Sequence, residues 1–359
     1  MYKILDIIKP GVIFGKDIKK IFSIAKKNNF AIPAINCINT DSINAVLETA
    51  KKMRSPVIIQ FSYGGSSFFI GKGIDSKENI KNAILGSTLA AKYVHSIAKY
   101  YKIPVILHTD HCHKEILPWI DGLMIENNKF IKKTGNPLFS SHMIDLSQEK
   151  IENNIILCKK YFKKLDSMNI FLEIELGCTG GEEDGINNSN LKKEYLYTTP
   201  QDVHYAYKEL SDISSNFTIA ASFGNVHGVY KKGSIDLKPI ILKKSQEYVK
   251  KNNSDINQPI DFVFHGSSGT GIQEIQKSIS YGVVKINIDT DIQWASWNGI
   301  LNFYNEYKNY LQNQLGNPEG SNKPNKKYYD PRTWIRKSQE FIVKRLEKSF
   351  KDFNSYNVL

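Results

Sequence analysis

With 359 residues, 41% of them hydrophobic and 23% charged, the chain can bury a large core and suits one large α/β barrel or two ordinary domains. No apolar run is long enough to span a bilayer, and the opening residues lack the apolar core and cleavage pattern of a signal peptide. No membrane partner is expected, and the cytoplasm is the expected location. The formal charge of +12 comes from lysine-rich helical surfaces such as 159–164 and 243–253; with no RNP motif or zinc-finger spacing beside it, no nucleic-acid partner is expected.

In chain order, helical spacing over 15–29 puts Ile18, Ile21, Phe22 and Ala25 on one face. A short apolar run, 30–36, reads as the first strand and ends in Asn36. A helix over 41–53 follows, with its cap expected at Thr40 or Asp41. The second strand is 56–62, and a long helical stretch, 83–101, leads to the third, 104–113, which ends in a cluster of His108, Asp110, His111 and His113. The fourth strand is 137–145, a helix covers about 147–168, and the fifth strand is 170–176. A Gly-rich acidic loop, 177–185, and a helix near 202–211 precede the sixth strand, 217–224. The seventh strand is 260–266, a helix lies near 272–281, the eighth strand is 283–289, and helical patterns run to the C-terminus.

Near-continuous apolar strands alternating with helices indicate a parallel sheet covered on its outer face. Eight such units without a linker predict a (β/α)8 TIM barrel with extra N- and C-terminal helices. The whole of 1–359 reads as a single catalytic barrel domain, with a C-terminal helical extension from about 300. A doubly wound sheet would be favoured by a G-x-G-x-x-G turn after the first strand, which is missing. Cys37, Cys112, Cys158 and Cys178 form no C-x-x-C pair and are expected as reduced packing residues.

The active face of such a barrel lies at the strand C-terminal ends. His111, His227 and His265 end three different strands, and three neutral imidazoles with an open position are a catalytic zinc site. Asp110 is placed for proton transfer, and His108, two residues back, points inward one layer lower. Asp145 and Glu175 end adjacent strands and can hold a second cation or orient a histidine. His95, His142 and His204 read as ordinary polar or core residues, and His113 as part of the exit loop. The 177–185 loop reads as a closing loop with Glu182 or Glu183 as a general base. Residues 266–271 (GSSGTG), after strand seven and before a helix, and Asn287 to Thr290, after strand eight, read as oxyanion cradles. Residues 326–332 add cations and aromatics. A phosphorylated carbonyl substrate fits this set; carbon–carbon cleavage, isomerisation and hydrolysis stay open on spacing alone.

The stretches 36–50, 104–112, 140–147, 172–185, 220–230, 283–285 with 287–291, and 324–332 closely resemble the class II (zinc-dependent) fructose-1,6-bisphosphate aldolases of the bacterial class IIA type. The resemblance implies a glycolytic carbon–carbon lyase that reversibly cleaves fructose 1,6-bisphosphate to dihydroxyacetone phosphate and glyceraldehyde 3-phosphate. It implies catalytic Zn2+ on His111, His227 and His265, with Asp145 and Glu175 at a second or displaced divalent metal position. Asp110 would exchange a proton with the C4 oxygen, Glu183 would take the α-proton of dihydroxyacetone phosphate, and Asn287 would assist the same intermediate. Gly228, Gly266, Ser267, Ser268, Asn287, Ile288, Asp289 and Thr290 would hold the ketose phosphate. Ser62 and Arg332 would hold the aldehyde-side phosphate, with Arg332 crossing from the partner in a homodimer. A monovalent cation (Na+ or K+) is implied near Gly228 and Gly266.

The chain departs from the family pattern at Ser267, which replaces a glycine, and at His113, read as a surface change. If position 267 needs φ > 0, serine there costs about 1 kcal/mol and weakens the hold on phosphate. Three rivals stay open: a Schiff-base aldolase using Lys285, a tagatose-1,6-bisphosphate aldolase of the same fold, and a basic RNA-binding barrel.

Overall fold

The computed structural model describes residues 3–74, 78–183, 186–187, 196–228, 236–253 and 256–359, with only the backbone at 182–183, 186–187 and 253. The eight apolar runs form strands β1 (Ile32–Asn36), β2 (Val57–Phe61), β3 (Pro104–Thr109), β4 (Ser141–Ile144), β5 (Phe171–Leu176), β6 (Phe217–Ala221), β7 (Phe262–Phe264) and β8 (Val283–Ile288). Each pairs in parallel with its sequence neighbour, and β8 pairs with β1, so the sheet closes into a barrel. The strands are buried on both faces, which is why they read as apolar runs.

Helices cover the outside: α1 (Lys16–Asn28), α2 (Thr40–Met53), α3 (Asn79–Tyr101), α4 (Leu117–Thr134), α5 (Ile151–Ser167), α6 (Pro200–Ser211), α7 (Ile240–Asn253), α8 (Ile272–Ser280), α9 (Thr290–Tyr307) and α10 (Pro331–Asp352). As the spacing predicts, α1 buries Ile18, Ile21, Phe22 and Ala25. The cap of α2 is Asn39, not Thr40 or Asp41: its side chain accepts the Ser42 backbone N–H at 2.9 Å. Helix α5 starts at Ile151, later than the apolar spacing suggests, and α4 has no counterpart in the sequence reading. Within the expected C-terminal helical stretch, Leu315–Asn317 and Gly320–Pro324 form an antiparallel hairpin.

Below the barrel, Gly11–Val12 pairs with Pro104 and Val105, ahead of the point where β4 joins β3. The chain end tucks under the first strands: Ala31 N–H donates to Phe353 O at 3.0 Å and Asn357 N–H to Met53 O at 2.8 Å. The open end is left to the strand C-termini. In β5, Leu172, Ile174 and Leu176 alternate with the buried acids Glu173 and Glu175, so strand pleating separates an apolar set from an ionisable one.

Candidate active site

Asp110 and His111 follow β3 directly, and both are buried. His111 holds φ at 41°, a left-handed backbone that costs a non-glycine residue about 1–2 kcal/mol. Asp145 follows β4, Glu175 lies near the end of β5, and His265 follows β7. His227 belongs to a short strand, Val226–His227, paired in parallel with Gly180–Glu183.

The side chains of His111, His227, His265, Asp145 and Glu175 meet. Ring centroids are 4.7 Å apart for His111 and His265, 5.3 Å for His111 and His227, and 6.2 Å for His227 and His265. One ligand atom from each of the three histidines lies within 4.8 Å of the others, and His111, Asp145 and Glu175 satisfy the same spacing. His111 Nδ1 is 3.1 Å from Asp145 Oδ2 and 3.7 Å from Glu175 Oε2, and His265 Nδ1 is 3.4 Å from Glu175 Oε2. His265 Nδ1 and Glu175 Oε2 are buried and have no hydrogen-bond partner among the described residues. Buried nitrogen and oxygen donors left in this way around one point fit a divalent cation.

The electrostatics agree with that donor set. Burial pushes the Asp145 carboxyl upward, but the His111 and His113 imidazoles outweigh it and hold the group well below the carboxylate range. Burial lowers the His265 pKa, yet the Glu173 and Glu175 carboxylates outweigh it and raise it to about 9. His265 Nε2 donates to Glu173 Oε1 at 2.9 Å, which leaves the Nδ1 lone pair toward the cluster.

Asp110 is fixed by amides. Its Oδ2 accepts from Gln60 Nε2 at 2.8 Å and Asn36 Nδ2 at 3.2 Å, and its Oδ1 accepts from Asn287 Nδ2 at 3.2 Å. Gln60 was missed from the sequence; a lone amide inside an apolar strand was its signal. His108 lies one layer lower, as expected, with Nδ1 2.7 Å from Ser141 Oγ. Burial and then the Lys285 charge push its pKa well below the ordinary value, so His108 is neutral. Lys285 Nζ donates to both Glu173 oxygens, at 2.9 and 2.7 Å, and is buried. The ammonium is committed to an ion pair, which removes it as a Schiff-base nucleophile.

The β7 and β8 loops are joined by Ser267 Oγ, which donates to Asn287 O at 2.6 Å. Ser267 is absent from the positive-φ residues, so the backbone cost considered for it does not arise; Gly266 and Gly269, at φ 63° and 78°, make the turn. A Cβ at Gly266 would stand 2.6 Å from Val226 O. Gly228 also has a left-handed φ, of 102°. Ser268 and Thr290 are half-buried, Ile288 is buried, and Asp289 precedes α9 and accepts from Gln293 Nε2 at 3.0 Å. Ser62 is buried and caps the Tyr63–Phe69 helix by accepting Gly65 N–H at 3.1 Å.

Three expectations fare differently. His113 is no surface residue: its Nδ1 is 3.2 Å from Asp145 Oδ2, and its ring stacks beside His111 at 6.1 Å. Tight packing of the β3 exit carries it back over the cluster. Arg332 is not brought to the histidines; its side chain is 89% exposed and bonds Asp330, with Nε 3.0 Å from Oδ1. The Gly-rich loop is partly strand, since Gly180–Glu183 pairs with Val226–His227 and with Ile186–Asn187. The side chains of Glu182 and Glu183, and residues 184–185, lie outside the described part.

A family model described as fructose-bisphosphate aldolase class-II matches residues 16–358. The chain is 62% identical to the fructose-bisphosphate aldolase class 2 of Buchnera aphidicola subsp. Schizaphis graminum (strain Sg), over 99% of this chain and 100% of that one. It is 58% identical to the protein of the same name from Escherichia coli (strain K12), over 100% of both chains. The crystal structure of fructose-bisphosphate aldolase from Campylobacter jejuni is similar throughout, with a TM-score of 0.91, 53% identity and 100% of both chains covered.

Proposed function

The chain belongs to the class II fructose-bisphosphate aldolase family, and on that premise we propose that it reversibly cleaves fructose 1,6-bisphosphate to dihydroxyacetone phosphate and glyceraldehyde 3-phosphate, in glycolysis and gluconeogenesis. The observation that carries this reading is the convergence of His111, His227 and His265 beside an Asp110 held by three amides. The family implies a divalent metal, and in our reading zinc, held by the three histidines, supplies a Lewis acid toward the ketose carbonyl when bound. Asp145 and Glu175 are proposed for a second divalent position, and a monovalent cation beside Gly228 and Gly266.

The protein's own groups account for the proton movements. In cleavage, the Asp110 carboxylate takes the C4 hydroxyl proton, the C3–C4 bond breaks with its electron pair left on C3, and Glu183 returns a proton to C3. In condensation, Glu183 removes the α-proton and Asp110 protonates the aldehyde oxygen. Asn287 Nδ2 holds Asp110 while its Oδ1 is buried with no partner among the described residues, so the amide oxygen can also accept from a substrate hydroxyl. Gly228 and residues 266–268 and 287–290 are assigned to the ketose phosphate, and Ser62 and Arg332 to the aldehyde-side phosphate.

We further propose one catalytic domain over 1–359 with a helical extension from about residue 300, a cytoplasmic location, and a homodimer in which Arg332 reaches the other subunit's site. No helix among the described residues is long and apolar enough to cross a membrane. The exposure of Arg332, and of Trp294 and Trp297 on α9 at 62% and 53%, supports a partner on that side.

The test is cleavage of fructose and tagatose 1,6-bisphosphates side by side, with zinc and with a chelator. Faster turnover of the fructose compound, abolished by the chelator and restored by zinc, is expected. Borohydride with substrate should trap nothing on the protein. Activity that persists in chelator overturns the metal reading, and preference for the tagatose compound overturns the substrate.

A further inference from the structure

Beneath the histidine cluster lies a second donor set. Ligand atoms of His108, Asp110 and Glu173 lie within 4.8 Å of one another, and all three residues are buried. His108 Nε2 has no hydrogen-bond partner among the described residues; it is aimed between Asp110 Oδ1, at 3.9 Å, and Glu173 Oε2, at 3.7 Å. Two carboxylates and an unpartnered imidazole nitrogen in a closed space are the ingredients of a divalent cation site. One of the two carboxylates already holds a tethered cation: Lys285 Nζ stands 2.7 and 2.9 Å from the two Glu173 oxygens.

We propose that Lys285 is a positioning residue whose ammonium fills this lower cation site and confines the divalent metal to the histidine cluster above. The inference rests on the metal-dependent reading of the upper cluster. Its consequence falls on Asp110, which belongs to both levels. A metal ion in the lower site would engage the Asp110 carboxylate and remove it from proton transfer. The ammonium pairs with Glu173, and the Asp110 carboxylate keeps its amide partners Gln60, Asn36 and Asn287. The same ion pair pins Glu173 as the acceptor for His265 Nε2–H. A tethered ammonium does this work better than a free cation because it cannot exchange with the solvent's divalent ions.

The test counts metal. Metal-free wild type, Lys285→Ala, Lys285→Gln and the double variant Lys285→Ala/Glu173→Gln are titrated with cobalt(II), following visible absorption and bound metal per chain. Lys285→Ala is expected to bind one more equivalent than wild type, with a second absorption phase. The double variant is expected to return to the wild-type count. Should Lys285→Ala not fold, Lys285→Gln carries the same prediction, because its shorter side chain keeps a polar hydrogen-bonding end but no charge. A wild-type count in a folded Lys285 variant overturns the proposal, as does an extra equivalent that survives Glu173→Gln. Wild-type protein that binds cobalt normally but cleaves no bisphosphate would defeat the aldolase reading and leave this one intact.

Discussion

Asp110 accepts hydrogen bonds from amides on three strands, β1, β2 and β8. Its place beside a donor set, rather than within the histidine triad, separates its role from theirs. Asp110→Ala is expected to retain bound metal while losing about 10²–10⁴-fold in turnover. His111→Ala should lose both, and equal metal loss in the two variants would contradict the division of labour. A different histidine sets an acid limit on stability. His142 is buried, with Nδ1 2.7 Å from Thr109 Oγ1 and Nε2 facing the Asn127 amide at 3.1 Å, and burial pushes its pKa down from 6.5 to about 3. The folded protein thus refuses a proton that the unfolded chain binds. This contribution is complete above pH 6.5 and is lost as pH falls toward 3. Between pH 7 and pH 5 it amounts to about 2 kcal/mol. Denaturant titrations at both pH values should show that much less acid sensitivity in His142→Gln. At this scale the sequence named the three imidazoles, because each stands just past an apolar run. It did not show that Gln60 holds Asp110 or that Glu173 holds His265, since a strand's pleat gives the direction of a side chain but not its partner.

Elements meet at places where only glycine fits. A Cβ on Gly86 of α3 would stand 1.8 Å from Ser66 O in the Tyr63–Phe69 helix. Gly86→Ala is therefore expected to destabilise by about 1–3 kcal/mol with the active site chemically intact, measured by denaturant unfolding. The cap of α2 predicts a smaller loss, about 1 kcal/mol for Asn39→Ala. Such local features were partly legible: α1 announced itself by the spacing of Ile18, Ile21, Phe22 and Ala25. Helix α4 did not, although it buries Trp119, Ile120 and Leu123. Its sequence signal is Pro118 in the first turn, which suits a helix start.

For the whole molecule the open question is the partner. In one chain Arg332 bonds Asp330 and points into solvent, and the proposed phosphate role for it rests on the proposed second subunit. Arg332→Ala alone and His111→Ala alone should both be nearly inactive. After denaturation and refolding of an equal mixture, heterodimers would carry one complete site, and activity should return to about a quarter of wild type. No recovery, with dimers confirmed by sedimentation, would place Arg332 in its own subunit's site or outside both.

Taken by itself, the sequence determined the barrel and the identity of its metal-binding candidates. Near-continuous apolar strands, separated by helices of period 3.6, leave little choice but a covered parallel sheet, and strand ends are where polar side chains must accumulate. The tertiary structure alone decided which polar groups share one space. It moved His113 from an imagined surface onto Asp145, turned Lys285 from a possible nucleophile into the ion-pair partner of Glu173, and placed Ser267 outside the strained backbone region. These outcomes depend on ångström-scale register between strands distant in sequence and on the low dielectric of the barrel interior. Neither is a property of a local stretch of residues.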